Sequence, residues 1–338
     1  RDGFPLVAEI AGGGLVFSID GARVAFLTGQ GERTQLMIRD LASARAEAVP
    51  LSGFVPAQAL FQADGSLFVV AATAGDVRTQ VYRVTPGGTP VRVSRTDSVV
   101  SELRTTGDAS VLLYGVGGRS PLQIGTGRAF AGGPARRQFA IMDVATGAER
   151  VISGENPVLS ADGSTAAYIT RTNGSNHVYT VPVRGNEPAT EAYATTDPLT
   201  NLALTPDGSR ITVQQQPRED WELFTVRRTG GTAERVTREI QHDLLPQWLD
   251  GNRLLAVVGE ARHRRSYLYA GGERIRLFHN NSVRTIAPEY EWVPSPDGTK
   301  LLVVAERDGD TVTPHRHLWY IDLTREVGVP GLIRRVQQ

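Results

Sequence analysis

A repeated Asp-Gly pair limits what this chain can fold into more than any other feature. Asp20-Gly21, Asp64-Gly65, Asp162-Gly163, Asp207-Gly208, Asp250-Gly251 and Asp297-Gly298 each sit between two short apolar runs, and Gly107-Asp108 reads as a degenerate seventh copy. Successive glycines of the series are 42 to 56 residues apart. A period in the forties with strand-like flanks is the mark of propeller blades. Seven anchors therefore predict an all-β, seven-bladed propeller. Its blades are expected at about 13–52, 57–95, 99–153, 156–193, 199–238, 244–279 and 287–336.

Each unit reads as four strands. In the fifth, Leu202-Ala203-Leu204 leads into Thr205-Pro206-Asp207-Gly208, followed by Arg210-Ile211-Thr212-Val213 and then Trp221-Glu222-Leu223-Phe224-Thr225-Val226. Asp-Gly suits the hairpin between the first two strands: glycine accepts positive φ, and aspartate bonds its own turn backbone. The runs are β-branched or aromatic and bounded by turn residues, as strands are. The long 56-residue step has a local cause, a glycine-rich insertion at 115–137. Its Gly125-Thr126-Gly127 lacks the strand-to-helix context of a phosphate loop. Residues 1–11, with Pro5 to Ile10 as the strand, are expected to close the ring by pairing with the last blade; Leu332 to Val336 is the other candidate strand.

Composition excludes several functions. The formal net charge is zero across 338 residues, which argues against general nucleic-acid binding. There is no cysteine, hence no disulfide and no thiolate metal site, and this fits a periplasmic or secreted protein. No stretch approaches the ~18 apolar residues of a membrane helix. Beginning at Arg1 rather than Met, the sequence reads as a processed or partial chain. Basic charge is nearly all arginine, with Lys300 the sole lysine.

No Gly-x-Ser-x-Gly elbow and no His-Glu-x-x-His helix is present, so no nucleophile or zincin site is assigned. His315 and His317 alternate and would share a strand face, but they lack further ligands at metal-site spacing and read as polar residues opening a strand. Asp308-Gly309-Asp310 lacks the remaining oxygens of a calcium loop. Neither cofactor nor metal is expected. Asp97, Asp197, His242 and Asp243 precede inner strands and form a candidate channel-mouth group; as turn and cap residues they need no ligand. In a propeller the loops between second and third strands share a face with the inter-blade connections, while the Asp-Gly turns lie on the other. Long charged loops on that first face supply the candidate binding residues Arg218, Asp220, Trp221, Arg262, His263, Arg264, Arg307 and Asp308. A solvated rim, with Trp221 packing between blades, is the simpler alternative.

Ser295-Pro296-Asp297-Gly298-Thr299-Lys300-Leu301-Leu302-Val303 resembles the repeat of TolB-type propellers, as do Thr205-Pro206-Asp207-Gly208-Ser209-Arg210-Ile211 and Leu159-Ser160-Ala161-Asp162-Gly163-Ser164. The stretch from Asn280 to Trp292 is similar to propellers that precede zinc-aminopeptidase-like domains. The resemblance implies three readings. One is a non-catalytic protein-interaction scaffold in an extracytoplasmic compartment. Another is a substrate-gating propeller of a larger secreted hydrolase whose catalytic domain lies beyond Gln338. The third is a propeller enzyme with carboxylates at the channel mouth. The partner is expected to be a protein or a downstream catalytic domain, not nucleic acid.

Overall fold

Short β-branched runs separated by turn residues fold as consecutive antiparallel hairpins, and here they do so seven times. The structure is a computed structural model that describes residues 4–7, 15–29, 31–118, 120–122, 138–237, 245–258, 265–277, 289–306 and 316–324. Seven four-stranded antiparallel sheets span 16–48, 54–92, 100–153, 155–195, 199–235, 247–276 and 289–322, the last completed by the strand Phe4–Val7. They are blades 1 to 7 of a propeller. Blade 5 shows the plan: Leu199–Leu204, Arg210–Gln215, Glu222–Arg227 and the two-residue outer strand Glu234–Arg235, each paired with the next. A single 3₁₀ turn, Gly31–Arg33, is the only helix among the described residues.

Phe4–Val7 pairs antiparallel with Arg316–Asp322, Phe4 opposite Tyr320 and Pro5 opposite Trp319. Phe4–Val7 thus supplies the outer strand of blade 7. The described part holds no helix long and apolar enough to cross a membrane.

The core is not one body of side chains. It is seven apolar clusters, one at each blade-to-blade interface. Val158, Ile169 and Val178 of blade 4 pack on Leu202, Ile211 and Val213 of blade 5. Leu302, Val304 and Leu318 of blade 7 pack on Phe17, Val24 and Phe26 of blade 1, which closes the ring. Alternation explains this geometry: successive strand residues point to opposite sheet faces, and both faces of every blade meet a neighbour. The second strands are therefore continuous apolar runs, such as Leu67–Thr73, rather than alternating ones.

One reading of the repeat shifts by a step. The blade 3 turn is not built on Gly107-Asp108 but on Asp108-Ala109, where Ala109 takes the left-handed conformation at φ 56°. The Thr106 hydroxyl donates to Asp108 at 2.6 Å, and this bond sets the register that glycine alone suggests wrongly.

Candidate functional site

On the rim carrying the Asp-Gly turns one device recurs in five blades, 1, 3, 4, 5 and 7. In blade 5 the Thr205 hydroxyl donates to Asp207 Oδ1 at 2.6 Å and accepts the Arg210 amide at 3.0 Å, while the Ser209 amide donates to the same carboxylate oxygen. Ser160-Asp162, Ser295-Asp297 and Ser18-Asp20 repeat the hydroxyl-to-carboxylate bond at 2.5–2.6 Å. These donors hold the carboxylates ionised. The hydroxyls of Thr106 and Thr205 first, then the amides of Ser110 and Ser209, bring Asp108 and Asp207 from the usual 3.8 down to about 2. For Asp297, burial pushes upward, but Ser295 and Thr299 outweigh it, again to about 2.

Adjacent turns also tie to each other. The Gly107 amide donates to Ala161 O at 2.7 Å and the Asp162 amide to Pro206 O at 3.0 Å. Lys300 Nζ donates to Gly21 O at 3.4 Å, joining blade 7 to blade 1 across the ring closure. The turn aspartates of this rim are spent on their own turns, and several turn backbones on one another.

The opposite rim is different. Arg218 and Glu219 are exposed on the loop between the second and third strands of blade 5. Trp221, on the same loop, is half-buried against Leu223, Leu254 and Ala256, so its ring joins the blade 5–6 interface. Asp97 is almost wholly exposed beside Arg92 at 3.3 Å. Asp197 is half-buried and accepts Gln215 Nε2 at 2.6 Å; the same Gln215 accepts the Tyr193 hydroxyl at 2.8 Å. Asp97 and Asp197 thus sit on the connections leaving blades 2 and 4, each held by local partners. Arg262, His263, Arg264, Arg307, Asp308, His242 and Asp243 lie outside the described residues, as do His315 and the calcium-like Asp308-Gly309-Asp310. Among the described residues, no three His, Asp or Glu side chains gather as a metal site requires.

Several polar groups escaped sequence reasoning. Glu222 is buried where the third strand of blade 5 starts, and it accepts from Arg235 and Thr237 of the outer strand and its end. Gln80, Arg92 and Ser94 occupy the matching places in blade 2, with Ser94 Oγ donating to Gln80 Oε1 at 2.6 Å. The signal was available: Gln80-Val81-Tyr82 and Glu222-Leu223-Phe224 are each followed by Gly-Gly and then Arg-Val-Ser or Arg-Val-Thr. Around the channel, the inner strands carry bulges that place Glu102 at φ 51° and Asn156 at φ 50°. Gln58 clamps the next inner strand, donating to Leu103 O at 2.6 Å and accepting the Leu103 amide at 2.8 Å. Burial raises the phenol of Tyr269 to about 12, with the nearby Tyr267 and Glu222 adding to it, as expected of a packing residue.

A seven-bladed β-propeller, its turn aspartates bonded into one rim, is the class that these observations define. No family model matches the chain, and no curated protein does. Solved structures do. The β-propeller domain of the Trilobed protease from Pyrococcus furiosus superposes with a TM-score of 0.66 at 12% identity, over 97% of this chain and 98% of that one. Puromycin hydrolase gives 0.64 at 15% identity over 94% of this chain and 52% of its own. An oligogalacturonate lyase in complex with manganese gives 0.64 at 15% identity, over 95% and 93%. At such identities the likeness shows the fold alone. The chain spans about half the length of puromycin hydrolase.

Proposed function

We propose that this chain is a protein-interaction module, a propeller of TolB-like type in an extracytoplasmic compartment, and that its partner docks on the rim opposite the Asp-Gly turns. One observation carries the reading. The aspartates of the Asp-Gly turns are consumed in turn bonds, whereas Arg218 and Asp220 on the other rim form no side-chain bond among the described residues. Charged groups on loops held by a rigid scaffold are the usual place for recognition. Lack of cysteine suits the compartment.

The test is capture from the native source by the wild-type chain, by R218E/D220R and by Glu187→Arg, an exposed change on the Asp-Gly rim. A protein retained by wild type and Glu187→Arg but lost from the double variant is the expected result. A partner retained equally by all three overturns the docking face.

A second reading is favoured by the half-length match to puromycin hydrolase: the propeller gates substrate for a catalytic domain on the same polypeptide. The intact mass of the protein from its source separates the two. A mass near 36.5 kDa supports the free-standing module, and a much larger mass supports the gating domain.

A further inference from the structure

The residue that opens the second strand, just after the Asp-Gly turn, is basic in four blades: Arg23, Arg210, Arg253 and Lys300. Three of them do one job. Arg210 donates to Gly251 O, Arg253 Nη2 to Gly298 O at 3.2 Å and Lys300 Nζ to Gly21 O at 3.4 Å, each reaching the turn glycine of the next blade. Arg23 is the exception. Its guanidinium lies over the Phe61 ring, 5.2 Å from the centroid, and among the described residues it makes no hydrogen bond or ion pair. A guanidinium has five donors in a fixed fork; here none is spent on a hydrogen bond, although the charge draws on the nearby carboxylates of Asp20 and Asp40.

At this place the wall between blades 1 and 2 opens into a cleft of about 520 Å³. Ile38 of blade 1 and the edges of the buried Leu67 and Val84 of blade 2 give it an apolar floor, and Arg23, Asp40, Arg45 and Glu47 stand around it. Asp40 uses one carboxylate oxygen, Oδ1, to accept the Ser43 amide and hydroxyl at 2.7 and 2.8 Å. Glu47 has only a loose 3.8 Å contact with Arg45, both side chains being largely exposed. The volume falls within the range of roughly 300–1,000 Å³ typical of small-ligand sites.

We propose that this cleft binds the C-terminal end of an apolar peptide, its α-carboxylate forked by Arg23 and its side chains against Ile38, Leu67 and Val84. A planar guanidinium resting on an aromatic ring is pre-organised for a carboxylate, which it meets through two parallel N–H bonds. The apolar floor calls for alkyl side chains beside that carboxylate. Asp40 and Glu47 oppose a dianion such as phosphate more strongly than a single carboxylate, Arg45 offsets them in part, and the two acids accept the backbone N–H groups that a peptide carries. Free organic acids offer the carboxylate without those donors. The site lies on the rim away from the proposed docking face, so it stands or falls separately from that reading.

The experiment titrates the tripeptide Ala-Val-Leu, as free acid and as C-terminal amide, into the full chain by calorimetry and by methyl NMR. The free acid is expected to bind saturably and at least about tenfold more tightly than the amide, the difference one charge-assisted fork supplies. Methyl shifts are expected at Ile38, Leu67 and Val84. R23Q, with its melting temperature checked, is expected to bring the free acid to the level of the amide. Equal binding of acid and amide, methyl shifts confined to other blades, or no saturation up to about 10 mM would overturn the proposal. Because the wild-type shifts decide the location, the result stands even if R23Q does not fold.

Discussion

The turns of blades 5 and 6 carry the same two letters, Asp-Gly, and are different objects. In blade 5 the chain closes from the Thr205 amide to Arg210 O at 3.0 Å, Gly208 sits at φ 66°, and a neutral hydroxyl organises the carboxylate. In blade 6 the position of that hydroxyl belongs to Trp248. Its indole turns away to donate to Thr212 Oγ1 at 3.0 Å in blade 5, with Arg210 over its ring at 4.9 Å. The blade 6 turn then closes one residue shorter, from the Leu249 amide to Arg253 O at 2.9 Å, and Gly251 does not take the left-handed conformation. Asp250 bonds the amides of Asn252 and Arg253 and pairs with Arg253 Nε at 2.6 Å. Between blades 5 and 6 the difference lies in the residue two places before the aspartate, not in the Asp-Gly pair itself.

The largest expected effect breaks one turn and spares the other. A Cβ at Gly208 would stand 2.8 Å from Thr165 and 3.3 Å from Ser160, both buried, on a backbone that L side chains avoid. Gly208→Ala is therefore expected to cost about 2–4 kcal/mol, combining left-handed strain with overpacking. Gly251→Ala meets nothing within 4 Å and is expected to stay within about 0.5 kcal/mol of wild type. Urea unfolding of the two variants checks the pair; equal losses would mean that the turns are alike after all.

Next in size is Thr205→Val, which keeps shape and removes the hydroxyl. It strips a donor from Asp207 and leaves the Arg210 amide without its acceptor beside a residue only 1% exposed. A loss of about 1–2 kcal/mol is expected from the orphaned groups. The chain should also fold with a less sharply depressed Asp207, because Thr205 is the first cause of its low value.

Acid supplies a smaller and more distributed test. A carboxylate whose folded value lies near 2, against 3.8 unfolded, stabilises the fold fully above about pH 4, and that contribution is lost as pH falls toward 2. The urea midpoint is therefore expected to hold from pH 7 to about 5 and to fall below about pH 4. Asp207→Asn should make the fall shallower. These carboxylates are close to solvent, so each contributes modestly. An acid limb as steep in Asp207→Asn as in wild type would locate the sensitive groups elsewhere.

The seven blades were legible because an aspartate turn recurs in each, and in five of them a hydroxyl, that aspartate and a left-handed residue stand at fixed spacing; such turns need only local chemistry, and local chemistry is written in order along the chain. The shift from Gly107 to Ala109 shows the limit even there, since a glycine beside an aspartate drew the eye and a threonine set the register. The candidate sites were far less legible. Arg23, Arg210 and Arg253 follow their turns identically in the sequence, and only the neighbouring blade decides that two of them reach a carbonyl while the first lies over Phe61. The sequence leaves Trp221 open as a binding anchor or as packing between blades, and the second is what its contacts with Leu223 and Leu254 from two blades bear out. Contacts between blades come from residues about forty positions apart, and no short-range pattern records them.

The smallest effect sharpens the comparison most. Asp250 and Arg253 form an ion pair on side chains 43% and 33% exposed, so their coupling in a double-mutant cycle is expected at about 0.2–1 kcal/mol. It should also weaken in 1 M salt, where screening acts within about 3 Å. The Thr205–Asp207 pair has no cation in its bond, and its coupling should survive the same salt nearly unchanged. Two cycles at two ionic strengths therefore distinguish a turn held by charge from one held by a hydroxyl. If salt leaves the Asp250–Arg253 coupling as unchanged as the other, Arg253 is only a spectator to the blade 6 turn, and the amides of Asn252 and Arg253 hold Asp250 by themselves.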